Sequence, residues 1–334
     1  MKKALSKSGL IGERAGIFIM LAVLVILFAV INPDFRKVNN ISNILLQCTP
    51  IGIAAIGMTF AIISGAFDLS VGSTMALTAS VTVSLIGVLG FYGAAAAGLT
   101  LGFLLGLING LIVTKVRIQP FIATLGTLWV YRAFAYIYTQ NKPVQSTDAV
   151  FTSWGNSFAY VPLLFIVMLF CYLAGFFLLY STPFGRYVFA VGSNRKAAIL
   201  SGINVAGVTL LVFAMAGLFS AMGGIALAVR LWSAKADTAS GYELMIIAAV
   251  VLGGTTLKGG RGTLAGTFGA AILFAVIYNA MDMFQVQSYW QKIALGGILL
   301  IALSLDGLRR KYMILPIEQA QNPLKNKGEL ISEK

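Results

Sequence analysis

The feature that most limits what this chain can fold into is a series of long apolar runs, separated by short polar or basic stretches. A helix that crosses a bilayer needs roughly 17 to 25 mostly apolar residues. Hydrophobic residues make up 58% of the chain and charged residues 10%, a composition unlike that of soluble domains. The sequence therefore predicts an all-α polytopic membrane protein with about ten transmembrane helices. The predicted runs are 15–31, 45–64, 70–90, 93–114, 118–139, 161–180, 205–230, 243–254, 263–281 and 289–306.

The basic residues between the runs predict the orientation, because lysine and arginine concentrate in cytoplasmic loops. With a cytoplasmic amino terminus, the inside segments hold most of the 24 lysines and arginines. We therefore expect both termini in the cytoplasm, with an N-terminal segment 1–14, a single transmembrane domain 15–308 and a C-terminal tail 309–334. The outside loops hold only Arg36, Lys37, Lys142 and Lys235.

Three basic residues, Arg132, Arg230 and Lys292, fall within or at the ends of runs. Burial or snorkelling is the expected fate of such side chains, and a role in a transport path stays open for Arg132 and Arg230. The run 93–114 carries glycines four residues apart, which places them on one helical face. We expect tight helix packing there, with channel lining as the alternative. These glycines are Gly98, Gly102, Gly106 and Gly110.

Several functional classes are disfavoured by composition. The chain has no histidine, so it lacks the usual general base and the commonest metal ligand. Cys48 and Cys171 both lie inside apolar runs, which indicates packing instead of a disulfide or a metal site. The net charge of +13 is distributed in small groups between runs, without the stripe typical of nucleic-acid binding. We therefore expect neither an enzyme, nor a metal site, nor a nucleic-acid partner.

The first polar interruption is "SGAFDLSVGS", residues 64–73. Gly65 is suited to end one helix, and Asp68 or a serine to cap the next, since a side-chain oxygen accepts an orphan backbone N–H. One interpretation is a capped hairpin between the second and third spans. The other adds that a carboxylate and two hydroxyls beside a membrane path bind or gate a polar solute.

The second interruption, 181–205, is basic and amphipathic. Pro183 stops the sixth span, and Ser193 or Asn194 could cap a short helix that ends at Gly202. Such a helix lies on the headgroups of the membrane surface, or else it docks a cytoplasmic partner.

In the third interruption, an apolar run of about a dozen residues ends at Gly253 and Gly254, and the next begins at Thr263. A helix of that length cannot cross a bilayer of about 30 Å, so the rest of its path must be buried or line a cavity. The loop between them, "GGTTLKGGRGT", lacks the residue order of a P-loop. We therefore expect no nucleotide binding by this chain.

Five ordered motifs resemble those of the membrane permeases of ribose-type sugar ABC importers, in the branched-chain amino acid and ribose permease superfamily. The resemblance extends from Ile44 to Leu308. The first motif departs from the family's common Gly-Gly-Ile-Asp, and Met245 stands where the family commonly has Asp. The motifs are "GMT" at 57–59, "GAFDLSVGS" at 65–73, "QPFIATLGT" at 119–127, "GRYVFAVGSNRKAAILSGINV" at 185–205 and "YELMIIAAVVLGGTTLKGGRGTLAGT" at 242–267.

The resemblance implies a permease subunit in the inner membrane of a bacterium. Two copies of the permease would work with a cytoplasmic ATPase that has two fused nucleotide-binding halves, and with a periplasmic or lipid-anchored sugar-binding protein. ATP and Mg²⁺ would bind to the ATPase, and this chain would carry no cofactor. The solute would be a monosaccharide, ribose or another pentose, passed by alternating access. The alternatives are an ion-coupled secondary transporter using Asp68, a permease for nucleosides, inositol or autoinducer-2, and a structural membrane protein.

The resemblance also implies roles for individual residues. ATPase closure would push on the loops 185–203 and 253–262, and helices would pass the motion to a gate near Asp68. The pathway or gate residues are Gly65, Asp68, Leu69, Ser70, Gly72, Thr124 and Thr127. The residues that engage the ATPase are Ala197, Ala198, Gly202, Glu243, Leu244, Gly253, Gly254, Thr255, Gly259 and Gly260.

Overall fold

A computed structural model describes residues 2–294, 296–298, 300 and 304 as an assembly of α-helices with two very short β-pairs. The helices are α1 Lys2–Ile31, α2 Val38–Ile63, α3 Val71–Leu111, α4 Pro120–Thr139, α5 Ala149–Ser153, α6 Leu163–Phe176, α7 Pro183–Ser193, α8 Arg195–Leu200, α9 Val205–Leu231, α10 Tyr242–Leu252 and α11 Leu264–Met283. Strand β1 Val144–Gln145 pairs antiparallel with β4 Ser233–Ala234, and β2 Ser157–Phe158 with β3 Val161–Pro162. A 3₁₀ turn spans Pro33–Arg36, and π-helical turns at Ile112–Val116 and Phe177–Ser181 extend α3 and α6.

Among the described residues, five helical segments are long and apolar enough to cross a membrane, which supports the polytopic membrane class. α4, which forms the fifth predicted run, is outside this set, and α10 is shorter at 11 residues. In the tenth predicted run, the described residues 289–294, 296–298, 300 and 304 are helical. The predicted tail 309–334 lies outside the described residues. The five segments are Val38–Ile63, Val71–Val116, Leu163–Ser181, Val205–Leu231 and Leu264–Met283.

The long helix α3 is a hairpin of two antiparallel arms, residues 71–89 and 91–111. Gly90 separates the arms with φ 66° and ψ 170°, a conformation that glycine adopts without steric cost. The arms run back along one another, because Gly98 faces Thr82 and a methyl group on Gly102 would lie 3.4 Å from the Thr78 side chain. The third and fourth predicted runs are therefore separate helices, as the sequence predicts.

The core lies where α2, α9 and the second arm of α3 meet. α2 is buried without interruption from Cys48 to Ile63, and α9 packs between it and α3. A methyl group on Gly106 would lie 3.0 Å from the Ala214 Cα atom, and one on Gly57 would lie 2.7 Å from the Ala216 Cα atom. Small residues thus let the helices approach closely, which confirms the packing interpretation of the glycine face.

The second interruption contains one helix that the sequence analysis missed and one that it predicted. The π-helical turn that extends α6 ends at Ser181, and α7 begins at Pro183. Thr182 Oγ1 accepts the Gly185 N–H at 3.3 Å, which caps the start of α7. The predicted short helix is α8. Asn194 Oδ1 accepts the Ala197 N–H at 3.0 Å at its start, and Gly202 ends it with φ 78°.

Candidate functional site

The loop between α2 and α3 ends α2 as its sequence predicts. Gly65 has φ 82°, and the Ala66 N–H donates to the Ala61 carbonyl at 2.9 Å, which closes α2. Asp68 Oδ1 accepts the backbone N–H of Ser70 at 2.8 Å and its hydroxyl at 2.6 Å. Asp68 therefore closes a turn just before α3, whose N-cap position is Ser70. The prediction that Asp68 or a serine caps this helix is wrong, because neither side chain accepts an N–H of α3 itself.

The Asp68 turn is part of a buried hydrogen-bond network that joins three elements. The Ser70 hydroxyl accepts from Asn109 Nδ2 at 2.8 Å, and the Tyr131 hydroxyl donates to Asn109 Oδ1 at 3.1 Å. All four side chains are buried. Burial raises the pKa of the Asp68 carboxyl, and the hydrogen bonds from Ser70 act against that rise. The sequence analysis missed Asn109 and Tyr131, although an asparagine in an apolar run was a usable signal.

The other predicted gate residues lie beside this network. Thr124 Oγ1 donates to the Phe67 carbonyl at 3.2 Å and to Pro120 at 2.9 Å, which ties α4 to the Asp68 loop. Thr127 lies one turn further along α4, where its hydroxyl donates to the Thr124 carbonyl at 3.3 Å. Leu69 is buried. The predicted gate residues are therefore gathered around one loop.

All three polar interruptions meet at a cluster of glycines, which we call the glycine junction: Gly65, Gly192, Gly259 and Gly260. The Gly260 N–H donates to the Ile63 carbonyl at 2.8 Å. A methyl group on Gly192 would lie 2.6 Å from the Gly260 nitrogen, and one on Gly259 would lie 2.8 Å from the Gly65 nitrogen. Real side chains do not approach so closely. The loops therefore touch backbone to backbone, with no side chain between them.

The remaining glycine-rich residues form a tight turn between α10 and α11. A methyl group on Gly253 would lie 2.7 Å from the Gly266 carbonyl, whereas Gly254, with φ 91°, faces open space. Thr255 is buried. The Thr256 N–H donates to the Arg261 carbonyl at 3.1 Å, which closes the loop.

Next to the junction, α8 presents apolar side chains outward. Ala198 is buried, but Ile199 is 57% exposed and Leu200 is 88% exposed. Ala197 and Gly202 are also exposed. An exposed apolar pair on a short basic helix is typical of a surface that binds a partner protein or the membrane.

The predicted ATPase-engaging residues of the third interruption lie in two groups, one at each end of α10. Glu243 and Leu244 lie in its first turn, whereas Gly253 lies at its other end. Glu243 Oε1 accepts the Gly241 N–H at 3.2 Å, and its other carboxylate oxygen lies against Gly72. Glu243 thus neighbours one of the predicted gate residues, while Leu244 is 45% exposed.

A cavity of about 520 Å³ lies at the Gly90 end of the first arm of α3. The loop after β1 forms its polar wall, and the sequence analysis did not anticipate it. The same loop continues from the β1–β4 pair that joins Val144 to Ala234. The lining residues that can form hydrogen bonds through side chains are Ser84, Gln145, Ser146, Thr147 and Asp148.

Comparison with known proteins places residues 40–303 in the family described as branched-chain amino acid transport system / permease component. The chain is 40% identical over 303 residues to the ribose import permease protein RbsC of Haemophilus influenzae, covering 89% of this chain and 93% of that protein. It is 40% identical over 305 residues to RbsC of Bacillus subtilis, covering 88% and 92%. Identity to RbsC of Escherichia coli strain K12 is 36% over 318 residues, covering 92% and 98%. No solved structure matches the chain.

Proposed function

This chain belongs to the family of branched-chain amino acid transport system permease components, and we propose that it is the membrane-spanning permease of an ABC importer for ribose. The sugar is proposed from the similarity to ribose import permeases over about nine tenths of the chain. The chain is a transport component and not an enzyme. The energy for transport is therefore supplied by a partner ATPase, which binds ATP and Mg²⁺, and this chain carries no cofactor of its own.

The proposed topology has ten membrane spans with both termini in the cytoplasm of a bacterium, and the chain resides in the inner membrane. Its support is the basic charge of the segments that this topology puts inside, among them Lys115, Arg117, Arg195 and Lys196. In this orientation α8, the glycine junction and the Asp68 loop face the cytoplasmic side. The cavity at the Gly90 end of α3 faces outward.

The glycine junction is the observation that carries the mechanism. On one side it continues into α8, whose exposed apolar Leu200 is a suitable contact for the ATPase. On the other side it reaches Gly65 and the Asp68 loop. Because close-packed backbones transmit displacement with little slack, closure of the ATPase against α8 and the loop 253–262 would move the Asp68 loop.

The gate itself depends on the network that begins at Asp68. In the conformation seen here, Asp68, Ser70, Asn109 and Tyr131 bond to one another across the loop, α3 and α4. Displacement of the loop would separate these partners and leave hydroxyl and carboxylate groups facing the path. Such groups are the ones that hydrogen-bond to sugar hydroxyls. Opening the gate would thus create a transient polar route through an apolar protein.

The proposed assembly contains two copies of the permease, a cytoplasmic ATPase with two fused nucleotide-binding halves, and a periplasmic or lipid-anchored sugar-binding protein. Its test is uptake of labelled ribose by proteoliposomes that contain the permease and ATPase, with the binding protein added outside and ATP inside. We expect uptake that requires all three proteins and ATP.

Two further results complete this test. Gly202→Glu and Gly254→Glu place a charge in the proposed ATPase contact, where Gly202 and Gly254 face open space, and should abolish stimulation of ATP hydrolysis by the ribose-loaded binding protein while the permease still inserts. Ribose uptake by the permease alone, driven by a proton or sodium gradient, would instead establish a secondary transporter and refute the proposal.

A further inference from the structure

The ten residues between α9 and α10, which we call the connecting segment (232–241), are irregular apart from the short strand β4. Trp232, Ala239 and Gly241 have positive φ angles of 52°, 56° and 85°. Ala234 and Ala236 are nevertheless as buried as core residues, at 0% and 3% exposure. Lys235, Asp237 and Ser240 are exposed, so one side of this non-helical segment packs into the protein while the other side is open.

The contacts of Ala236 show how deep the segment lies. Ala236 packs in one cluster with Leu77 and Leu105 of the two arms of α3 and with Tyr131 and Ala135 of α4. Tyr131 is the twelfth residue of α4, which places it about 16 Å from the start of that helix at 1.5 Å per residue, near the middle of a span. Carbonyls on the packed side of the segment are shielded from water, so they need donors from the protein.

Arg132 supplies those donors. Its side chain is 8% exposed, and one guanidinium nitrogen, Nη1, donates to the carbonyls of Ala236 and Thr238, both at 2.7 Å. These are short, charge-assisted hydrogen bonds, about twice as strong as neutral ones. One side chain of α4 therefore holds two carbonyls of the connecting segment.

Arg132 holds the middle of a segment that is also fixed at both ends. At one end, β4 pairs with β1, beside the outer cavity. At the other end, a methyl group on Gly72 would lie 2.7 Å from the Ala239 carbonyl. Beyond Gly241 the chain continues into α10, which ends at the turn before the glycine junction. The connecting segment and α10 together thus form a continuous stretch of chain from the outer face to the proposed ATPase contact.

We propose that Arg132 is a positioning residue for transport, which fixes the connecting segment so that events at the outer face reach α10 and the glycine junction. The part that concerns transport rests on the proposed function above, whereas the positioning itself does not. Arg132 touches no solute in this role. It acts by keeping Ala236 and Thr238 in register against α3 and α4.

The geometry predicts which substitutions are tolerated. Both bonds come from a single nitrogen, so a lysine ammonium, with three donors, retains the chemistry that a methionine of similar length lacks. We therefore expect Arg132→Lys to preserve most of the function and Arg132→Met to lose it. Lys235→Met is the matched control. Lys235 carries the same charge as Arg132, but its side chain is exposed and belongs to the connecting segment itself.

The first experiment measures the position of the segment directly, with the purified permease–ATPase complex. Ala236→Cys places a thiol at a site that is 3% exposed, while the native Cys48 and Cys171 are 0% and 7% exposed and report on the whole fold. Combining Ala236→Cys with Arg132→Met should raise the rate of maleimide labelling at residue 236 at least tenfold. The native cysteines should stay protected, Lys235→Met should change nothing, and Arg132→Lys should remain within about threefold of the parent.

The second experiment measures ATP-driven ribose uptake by the same variants without the reporter. Arg132→Met should reduce uptake at least tenfold, with Lys235→Met unchanged and Arg132→Lys within about threefold of the parent. The proposal is overturned if Arg132→Met leaves residue 236 protected, if Cys48 becomes reactive in parallel, or if Arg132→Lys is as damaging as Arg132→Met. If the unaltered complex imports no ribose, the proposed substrate fails, and the labelling result still decides whether Arg132 positions the segment.

Discussion

The glycine junction and the connecting segment both hold irregular backbone inside a helical membrane protein, but they do so by opposite means. At the junction, Gly192 and Gly260 let backbones touch directly. In the connecting segment, the long side chain of Arg132 reaches across to two carbonyls. A contact between two backbones cannot be weakened by degrees, because any added atom must displace the chain. A side-chain contact can be weakened by degrees, because the side chain can be shortened or changed. Substitutions should therefore act abruptly at the glycine junction and in a graded way at the connecting segment.

The loss of stability should be larger for Gly260→Ala than for a substitution at Asp68 or Leu200. Gly260 has φ 75°, and a methyl group there would lie 2.8 Å from the Ser193 Cα atom. The strained backbone costs roughly 1–2 kcal/mol and the overlap about 1–3 kcal/mol more. Gly254→Ala is the matched control, since its φ is 91° but no atom lies within 4 Å, and only the backbone cost applies.

The free energy of unfolding can be followed in detergent by the reactivity of the buried Cys48 thiol as denaturant is added. The midpoint should shift clearly further for Gly260→Ala than for Gly254→Ala. Equal shifts would mean that close approach is not what makes the junction sensitive.

An intermediate loss is expected for Asp68→Ala. That change leaves the buried hydroxyl and N–H of Ser70 without the acceptor they now share, at a cost of about 1–3 kcal/mol. Asp68→Asn keeps an acceptor oxygen and should cost less than about 1 kcal/mol, because an asparagine side chain accepts the backbone N–H two residues on as an aspartate does. The same denaturation assay measures both. If Asp68→Asn proves as destabilising as Asp68→Ala, the negative charge, and not the acceptor oxygen, holds the loop.

The smallest effect on stability is expected for Leu200→Asn, because Leu200 is 88% exposed and such substitutions usually change stability by less than about 0.5 kcal/mol. Its effect should appear in assembly instead, as a weaker recovery of the ATPase with the permease during purification. Leu231 is 51% exposed and lies at the end of α9 that is far from α8. Leu231→Asn should therefore leave that recovery unchanged. Equal recovery with Leu200→Asn would remove α8 from the proposed contact.

Local chemistry explains what the sequence predicted well. Gly65 and Gly202 end helices, Asn194 caps one, α11 begins directly after Thr263, and the short α10 follows from where the apolar run stops. Each signal lies within a few residues of the feature that it determines. The two arms of α3 could be predicted for the same reason, since the apolar runs are separated around Gly90.

The features that the sequence did not reveal depend on residues far apart in the chain. Arg132 bonds to residues more than a hundred positions away, and nothing near Arg132 indicates those partners. Likewise, Glu243 and the glycine-rich turn belong to one sequence motif, 242–267. In the structure, the 11-residue α10 separates Glu243 from that turn. The sequence does not reveal α7, because a proline such as Pro183 that ends one span also suits the first turn of a new helix.

The most direct test of coupling through the glycine junction compares two single substitutions in the permease–ATPase complex. A methyl group on Gly192 would press on the backbone of Ile63 and Gly260, whereas one on Gly126 of α4 meets no atom within 4 Å. The measurement is ATP hydrolysis stimulated by ribose-loaded binding protein, normalised to the ATPase that co-purifies. We predict that Gly192→Ala lowers this stimulation at least tenfold while Gly126→Ala leaves it within twofold of the parent. Full stimulation in a Gly192→Ala complex that assembles normally would contradict coupling through the junction.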